Sequence, residues 1–364
     1  MKIRRIETIP VQVPLRPRRM IRASLGTHAV SPFLLVRVHT DDGLVGLGEV
    51  SCTPRWSGED QVTAAHLIAA YFEPLWIGED ARNVEALTRK LRLGAAGNPF
   101  TKAALEMALW DLLGKVAGLP VYRLLGGAVR DSVETKFSVS GVPPAEAADL
   151  ASWARGEGFT SMKVKVGVGP EDVERVNAVR EAADVIPGVD ANGGWDVVTA
   201  VRMVLRMGEI AFVEQPVSPG DATRMAQVKR GVRVPIVADE SLYTADDAMQ
   251  LIQAKAADVF SIYVGKSGGI ANARRIAAIA DAAGVPCTIG SNLELGVASA
   301  AMLHLAVATP AITWPCDILT PFFYEDDVLR EPLDIRAGIA FVPERPGLGV
   351  ELDEEKIARY RVDR

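Results

Sequence analysis

SMKVKVG (161–167), IPGVDAN (186–192), AFVEQP (211–216) and PIVADES (235–241) decide the architecture of this 364-residue chain. Each is a short apolar run carrying charge at or near its carboxyl end, and about 25 residues separate one from the next. From about residue 133 the same pattern yields eight strand candidates. They are TKFSVS (135–140), SMKVKVG, the run ending VDAN, AFVEQP, PIVADE, DVFSIYVGK (258–266), PCTIG (286–290) and ITWPC (312–316). Amphipathic stretches of roughly a dozen residues lie between them. Pro170, Asp196 and Thr244 stand where helices should start, and Gly158, Gly208 and Gly284 where they should finish. Eight strand–helix units predict an α/β fold, a parallel barrel of the TIM type. A doubly wound open sheet alternates in the same way, and the count separates the two. The strand before VDAN is short and proline-bearing, the weakest of the eight.

Upstream the pattern changes. IRRIETIPVQV (3–13) and FLLVRVHTDDGLVGLGEV (33–50) read as antiparallel strands, the second broken by a turn at Asp41-Asp42-Gly43. Helical stretches follow at 59–71, 83–91 and 101–116; Gly118 and Pro120 end the last. YRLLGGAVRDSV (122–133) is a connector, and after Thr320 the repeat lapses into a tail of loop and strand. The expected organisation is an α+β domain at 1–128, the barrel at 129–320, and a segment 321–364 that returns to the first domain.

Composition excludes several function classes. Hydrophobic content of 49% with 24% charged residues suits a soluble globular protein. A net charge of −6 offers no electrostatic footing for nucleic acid. The one basic run, RPRRMIR (16–22), is either a solvated loop or a lid that meets an anionic substrate. No apolar run approaches the roughly 18 residues of a membrane span, and the N-terminus lacks a signal-peptide core. Cys52, Cys287 and Cys316 are far apart without CxxC spacing, so a cytoplasmic, reducing setting is the simplest expectation.

Barrel enzymes carry their chemistry at the carboxyl ends of the strands. Asp190, Glu214 and Asp239 fall there on three consecutive strands. Three neighbouring carboxylates repel unless protonated or bound to a cation, and all-oxygen ligation favours a hard ion, Mg²⁺ with Mn²⁺ as a possible substitute. Asn192 and Glu240 are placed to orient those ligands. Lys163 and Lys165, two apart on one strand, share its interior face. Two ammonium groups so placed, near Mg²⁺, should disfavour each other's protonation and lower the lysine pKa toward the working pH. Lys266, four strands further round, faces them across the barrel. The histidines are few, and His304 sits in the apolar helix ASAAMLHLAV, so a histidine base is not expected.

In order and spacing, KVKVG, VDAN, VEQP, VADES, GKSGG and SNLELG resemble the mandelate racemase/muconate lactonizing enzyme family of the enolase superfamily. LVGLGE, GNPFTKAALEMALWDLLGK and PGLGV extend the likeness over nearly the whole chain. The resemblance implies an α+β capping domain, completed by the C-terminal tail, over a modified barrel. It implies Asp190, Glu214 and Asp239 as Mg²⁺ ligands, Lys165 and Lys266 as acid/base groups, and Lys163 as the electrostatic partner of Lys165. Glu294 in SNLELG is implied to shape the site, and self-association as a homo-oligomer is implied too. Lysine at 266 points to the muconate-lactonizing subgroup. Lids at about 16–30 and 52–60 choose the substrate, with Arg22, Arg55 and Trp56 as candidate contacts. Three features depart from familiar members: ANGGWD after Asp190, Tyr263 where relatives often have lysine, and a single Asp317 where dipeptide epimerases show an aspartate pair.

The activity implied is that of an isomerase acting on a small carboxylate through an enediolate, either a cycloisomerase or a racemase/epimerase. Dehydration of a hydroxy acid from the same intermediate is the alternative. A non-catalytic metal-binding scaffold is a third reading, which the two opposed lysines disfavour.

Overall fold

Alternation in the N-terminal segment produces β1 (Ile3–Pro14), which pairs antiparallel with β2 (Val30–Thr40); β2 in turn pairs with β3 (Val45–Ser51). The structure, a computed structural model, describes residues 1–362. Successive side chains of β2 point to opposite faces. Phe33 and Leu35 join the barrel-side core, whereas Leu34, Val36 and Val38 pack under helices. The principal one is α1 (Pro99–Ala117), which lies directly on β3. Side chains at Gly46 and Gly48 would come within 2.2 and 1.9 Å of the α1 carbonyls of Ala108 and Ala104, so these two glycines permit the close approach. The helix expected at 59–71 is shorter, Gln61–Leu67. It continues as a π turn, Ile68–Phe72, and a short helix, Glu73–Trp76, where Pro74 withholds a backbone donor.

The repeat becomes a curled sheet of seven parallel strands. They are β4 (Lys136–Val139), β5 (Ser161–Lys165), β6 (Gly188–Asp190), β7 (Val213–Glu214), β8 (Ile236–Ala238), β9 (Val259–Ile262) and β10 (Cys287–Ile289), each beside its neighbour in sequence. The helices of the repeat are α2 (Pro144–Gly156), α3 (Asp172–Ala183), α4 (Val197–Met207), α5 (Ala222–Gly231), α6 (Ala245–Gln253), α7 (Ile270–Ala282) and α8 (Gly296–Ala308). Asp196 caps α4 by accepting from Thr199 N–H, and Thr244 forms a capping box with Asp247 on α6.

The eighth expected strand, ITWPC, is not a regular strand. Ile312 bridges Cys287 and Cys316 bridges Thr135, so the segment spans the gap between β10 and β4. Thr313 and Trp314 both donate to Cys287 O, a bulge, and Pro315 has no N–H to give. The barrel is therefore closed by an irregular segment. The C-terminal chain crosses back to the first sheet: Leu15 bridges Tyr324, Val11 bridges Arg361, and helix Glu354–Tyr360 packs on β1. Asp111 of α1 fastens it, accepting Leu348 N–H at 2.8 Å and Leu47 N–H at 2.9 Å. No described helix is long and apolar enough to cross a membrane.

His304, on α8, is fully buried, as its apolar surroundings suggest. Its Nδ1 accepts Tyr122 N–H at 3.3 Å and its Nε2 faces Leu348 O at 3.1 Å, an arrangement that requires the neutral ring. Burial pushes it down to about 4. The unfolded chain therefore binds the extra proton first, and stability present above about pH 6.5 is lost as pH falls toward 4, by roughly 3 kcal/mol. His304→Gln should flatten that acid limb in urea titrations run between pH 7 and pH 4; an unchanged slope would contradict the assignment.

Candidate active site

Sheet register brings the charged strand ends together. Lys165 pairs with Asp190 across β5 and β6, and Asp190 with Glu214 across β6 and β7. Glu214 pairs with Val237, so Asp239, two residues on, continues the same face. All three acids are buried, and so are Lys163 and Lys266.

They form one interlocked network. Lys163 and Lys165 do share a face, since both reach Asp190 Oδ2, at 3.4 and 2.7 Å. Lys163 also donates to Glu214 Oε1 at 2.8 Å and to Asp317 Oδ2 at 3.0 Å. Lys266 donates to Asp239 Oδ1 at 2.5 Å, to Asp239 O at 2.7 Å and to Ser261 O at 3.0 Å. Tyr263 hydroxyl donates to Asp239 Oδ2 at 2.7 Å. Asn192 bridges, taking Lys165 Nζ at 2.9 Å and giving its amide to Glu240 at 2.9 Å. Among the described residues no three acids converge as a closed cluster, because each is turned to an ammonium group.

The electrostatics follow from this crowding. Burial pushes Glu214 up to about 7; Lys163 opposes the rise, and Asp190, Asp239 and Asp317 add to it. Burial and the charges of Asp239 and Asp190 push Glu240 up to about 8. Burial works against Asp190 as well, yet Lys165 and Lys163 hold it at about 2. Lys163 is governed by its acid neighbours rather than by Lys165. Although burial disfavours its charge, Asp317, Glu214 and Asp190 hold it well above the ordinary lysine range. Three acids outweigh the two amines, Lys165 and Lys136, that share their oxygens with Lys163.

The residues fit a hard cation. Asp190, Glu214 and Asp239 are oxygen donors on adjacent strands, and Glu214 Oε2 is buried with no hydrogen-bond partner among the described residues. An orphaned carboxylate oxygen among other acids is a site for a positive charge.

Above this network lies a cavity of about 410 Å³. Lys163, Lys165, Asn192, Tyr263 and Asp317 line it from the barrel, and Ile21, Leu25, His28, Val30 and Trp56 from the first domain. A hairpin, Ile21–Ala23 with Gly26–His28, forms part of the roof, held by Ser24 to Asn192 O and by Arg22 N–H to Ser140. Trp56 anchors the second lid: its indole N–H donates to Glu240 at 3.1 Å and its ring stacks on Tyr263 at 5.5 Å.

Several expected residues stand elsewhere. Lys266 does not line the cavity; its Nζ lies 4.2 Å from the Tyr263 ring centroid, behind that ring's contact with Trp56. Arg22 is exposed and outside the lining, so the structure does not bring it to the site. Arg19 of the basic run lies over Trp153 at 3.6 Å and faces away. Arg55 reaches the cavity from an exposed position, donating to Leu25 O. Glu294 braces its own loop, accepting from Ser291 and Asn292.

Lys136 is the residue that sequence reading missed. Buried on β4, it donates to Thr288 at 3.1 Å, to Pro315 O at 2.9 Å, and pairs with Asp317 Oδ2 at 3.0 Å. The signal was present: Lys136 and Ser138 alternate on the face that Ser138 presents to the cavity.

Residues 4–126 match the mandelate racemase/muconate lactonizing enzyme N-terminal domain, and residues 145–356 match the enolase C-terminal domain-like family. The chain belongs to this family. Among its curated members, muconate cycloisomerase 1 of Rhodococcus opacus is 34% identical, covering 98% of this chain and 97% of the relative. The structure of muconate lactonizing enzyme from Pseudomonas fluorescens, complexed with muconolactone, superposes with a TM-score of 0.95 at 33% identity, covering 99% of both chains. The dipeptide epimerase from Cytophaga hutchinsonii, complexed with Mg and D-Ala-L-Val, gives 0.93 at 33% identity, covering 99% of this chain and 98% of that one. Two are isomerases by name, a cycloisomerase and an epimerase, and the third is named for lactonizing muconate.

Lys136→Met removes one ammonium from a buried pair and should lower stability by about 3 kcal/mol, read as a fall in the urea midpoint. An unchanged midpoint would contradict the role given to this lysine.

Proposed function

We propose that this enzyme, an isomerase of the family just named, moves a proton at the carbon next to a substrate carboxylate, with Lys165 and Lys266 on opposite faces of that carbon. The observation that carries the reading is their placement. Lys165 stands at the cavity floor beside Asp190, and Glu214 lies between it and Lys266 in the sheet. Lys266 stands four strands further round beside Asp239, behind the Tyr263 ring, which must turn aside for that amine to meet the substrate.

Asp190, Glu214 and Asp239 would hold a divalent cation, Mg²⁺ by the chemistry of the donors and by the Mg found in the epimerase structure. Bound there, it would supply Lewis-acid stabilisation of the negative charge that develops on the carboxylate as the proton leaves. The chain's own groups do the rest. Lys163, tied to Asp190, Glu214 and Asp317, keeps a fixed positive charge beside Lys165. Asn192 holds Lys165 from its other side. The lids of the first domain cover the cavity, while the barrel carries the lysines and acids. In a racemase or epimerase one lysine takes the proton and the other returns it; in a cycloisomerase one lysine would protonate the enolate that ring closure leaves, giving the product.

The test is deuterium incorporation at the carbon next to the carboxylate, in D₂O with Mg²⁺, followed by NMR over muconates, N-acylamino acids, dipeptides and proline derivatives. Lys165→Ala and Lys266→Ala should each lower turnover of the responding substrate by about 10²–10⁴-fold. Near-normal turnover in either variant would remove that lysine from the mechanism.

A further inference from the structure

A carboxylate of the first domain that takes no part in this chemistry is fully buried at the joint with the barrel. Glu106, on α1, accepts Ile270 N–H at 2.8 Å and Ala271 N–H at 2.9 Å, the first amides of α7. The Trp110 indole donates to it as well, at 2.7 Å. The first amides of a helix have no intrahelical acceptor, so a carboxylate there satisfies them and meets the positive end of the helix dipole. The position before α7 is Gly269, which has no side chain to cap it. Burial pushes the Glu106 carboxyl up to about 7, and those three donors work against the rise.

Gly269 completes the joint. Its φ is +126°, and a Cβ there would come within 2.7 Å of the Glu106 carboxyl carbon and one of its oxygens. Lys266 lies three residues earlier, in a tight turn. Ser267 N–H donates to Tyr263 O, Gly268 N–H to Gly265 O and Gly269 N–H to Val264 O, at 3.0, 3.0 and 2.9 Å. On the other side of the turn, a Cβ at Gly265 would stand 2.5 Å from the ring of Phe100, near the start of α1. Helix α1 thus grips the turn both before and after Lys266.

We propose that Glu106 is a positioning residue for Lys266: by capping α7 across the domain joint, it sets where that amine stands in the site. This inference rests on the acid/base reading of Lys266. A misplacement of one ångström at a catalytic group can lower a rate about a hundredfold, whereas Lys165, on a strand that α1 does not cap, should be unaffected.

The experiment follows α-proton exchange of each enantiomer of the responding substrate separately, with Lys165→Ala and Lys266→Ala assigning the two faces. Glu106→Gln, which sets an amide N–H₂ against a backbone N–H, should slow the Lys266-dependent enantiomer about a hundredfold and leave the other near wild type. Gly269→Ala, which keeps Glu106 but crowds it, should do the same and serves if Glu106→Gln does not fold. Equal loss for both enantiomers, or no loss, would overturn the proposal. Amide hydrogen exchange over residues 263–275 gives a second reading that needs no substrate. Faster exchange confined to that segment supports the proposal, and unchanged or globally raised exchange overturns it. If wild type incorporates no deuterium next to the carboxylate of any substrate, by exchange or on ring closure, the acid/base reading falls, and the amide result alone decides whether Glu106 positions the turn.

Discussion

Charge compensation inside the barrel governs this molecule. Asp190, Glu214, Asp239 and Asp317 are carboxylates withdrawn from water, and Lys136, Lys163, Lys165 and Lys266 are set among them. A single buried ion of this kind would neutralise itself by shifting its pKa. Interlocked, each of these acids finds an amine; Glu240 adds a fifth acid, and among the described residues unpartnered oxygens remain on Glu214, Glu240 and Asp317, with Glu214 pushed up to about 7 and Glu240 to about 8 by burial and their acid neighbours. The strand register makes this possible, because it sets Lys165, Asp190 and Glu214 side by side.

The first domain is more than a cover. Its lids supply the hairpin and Trp56 that enclose the cavity, and Trp56 bonds and stacks directly onto the barrel residues Glu240 and Tyr263. Two of its buried glutamates hold the amino ends of barrel helices: Glu106 on α7, and Glu49 on α8 through Leu295 and Ala298 N–H at 2.7 and 3.1 Å. Lys266 and Glu294 lie just before those helices. The first domain is therefore bonded directly to the chain where the preceding turns enter α7 and α8.

Much of this was legible in the sequence, for identifiable reasons. The period near 25 residues exposed the strand–helix repeat, and three acids in phase with it exposed the strand ends. A two-residue spacing was enough to place Lys163 and Lys165 on one face. What escaped depends on contacts remote in the chain. Glu106 reads as an ordinary helical glutamate until Ile270, 164 residues away, is seen against it. Glu49 meets Leu295 over 246 residues. Lys136 sits in an alternating strand, and its pairing with Asp317 appears once ITWPC bends to close the barrel. That bend also explains why the eighth strand failed as a regular element: Pro315 and the shared acceptor Cys287 O break its ladder. The screening of Lys266 by Tyr263 likewise arises from a ring that packs on the lid, which no local pattern encodes.

Whether the acid surplus at the strand ends exists to hold a cation is decided by calorimetric titration of the purified protein with Mg²⁺, without substrate. The account predicts one ion per chain for wild type and an affinity at least about tenfold weaker for Glu214→Gln. Saturable binding that is indifferent to Glu214, Asp190 and Asp239, or no binding at all, would contradict it.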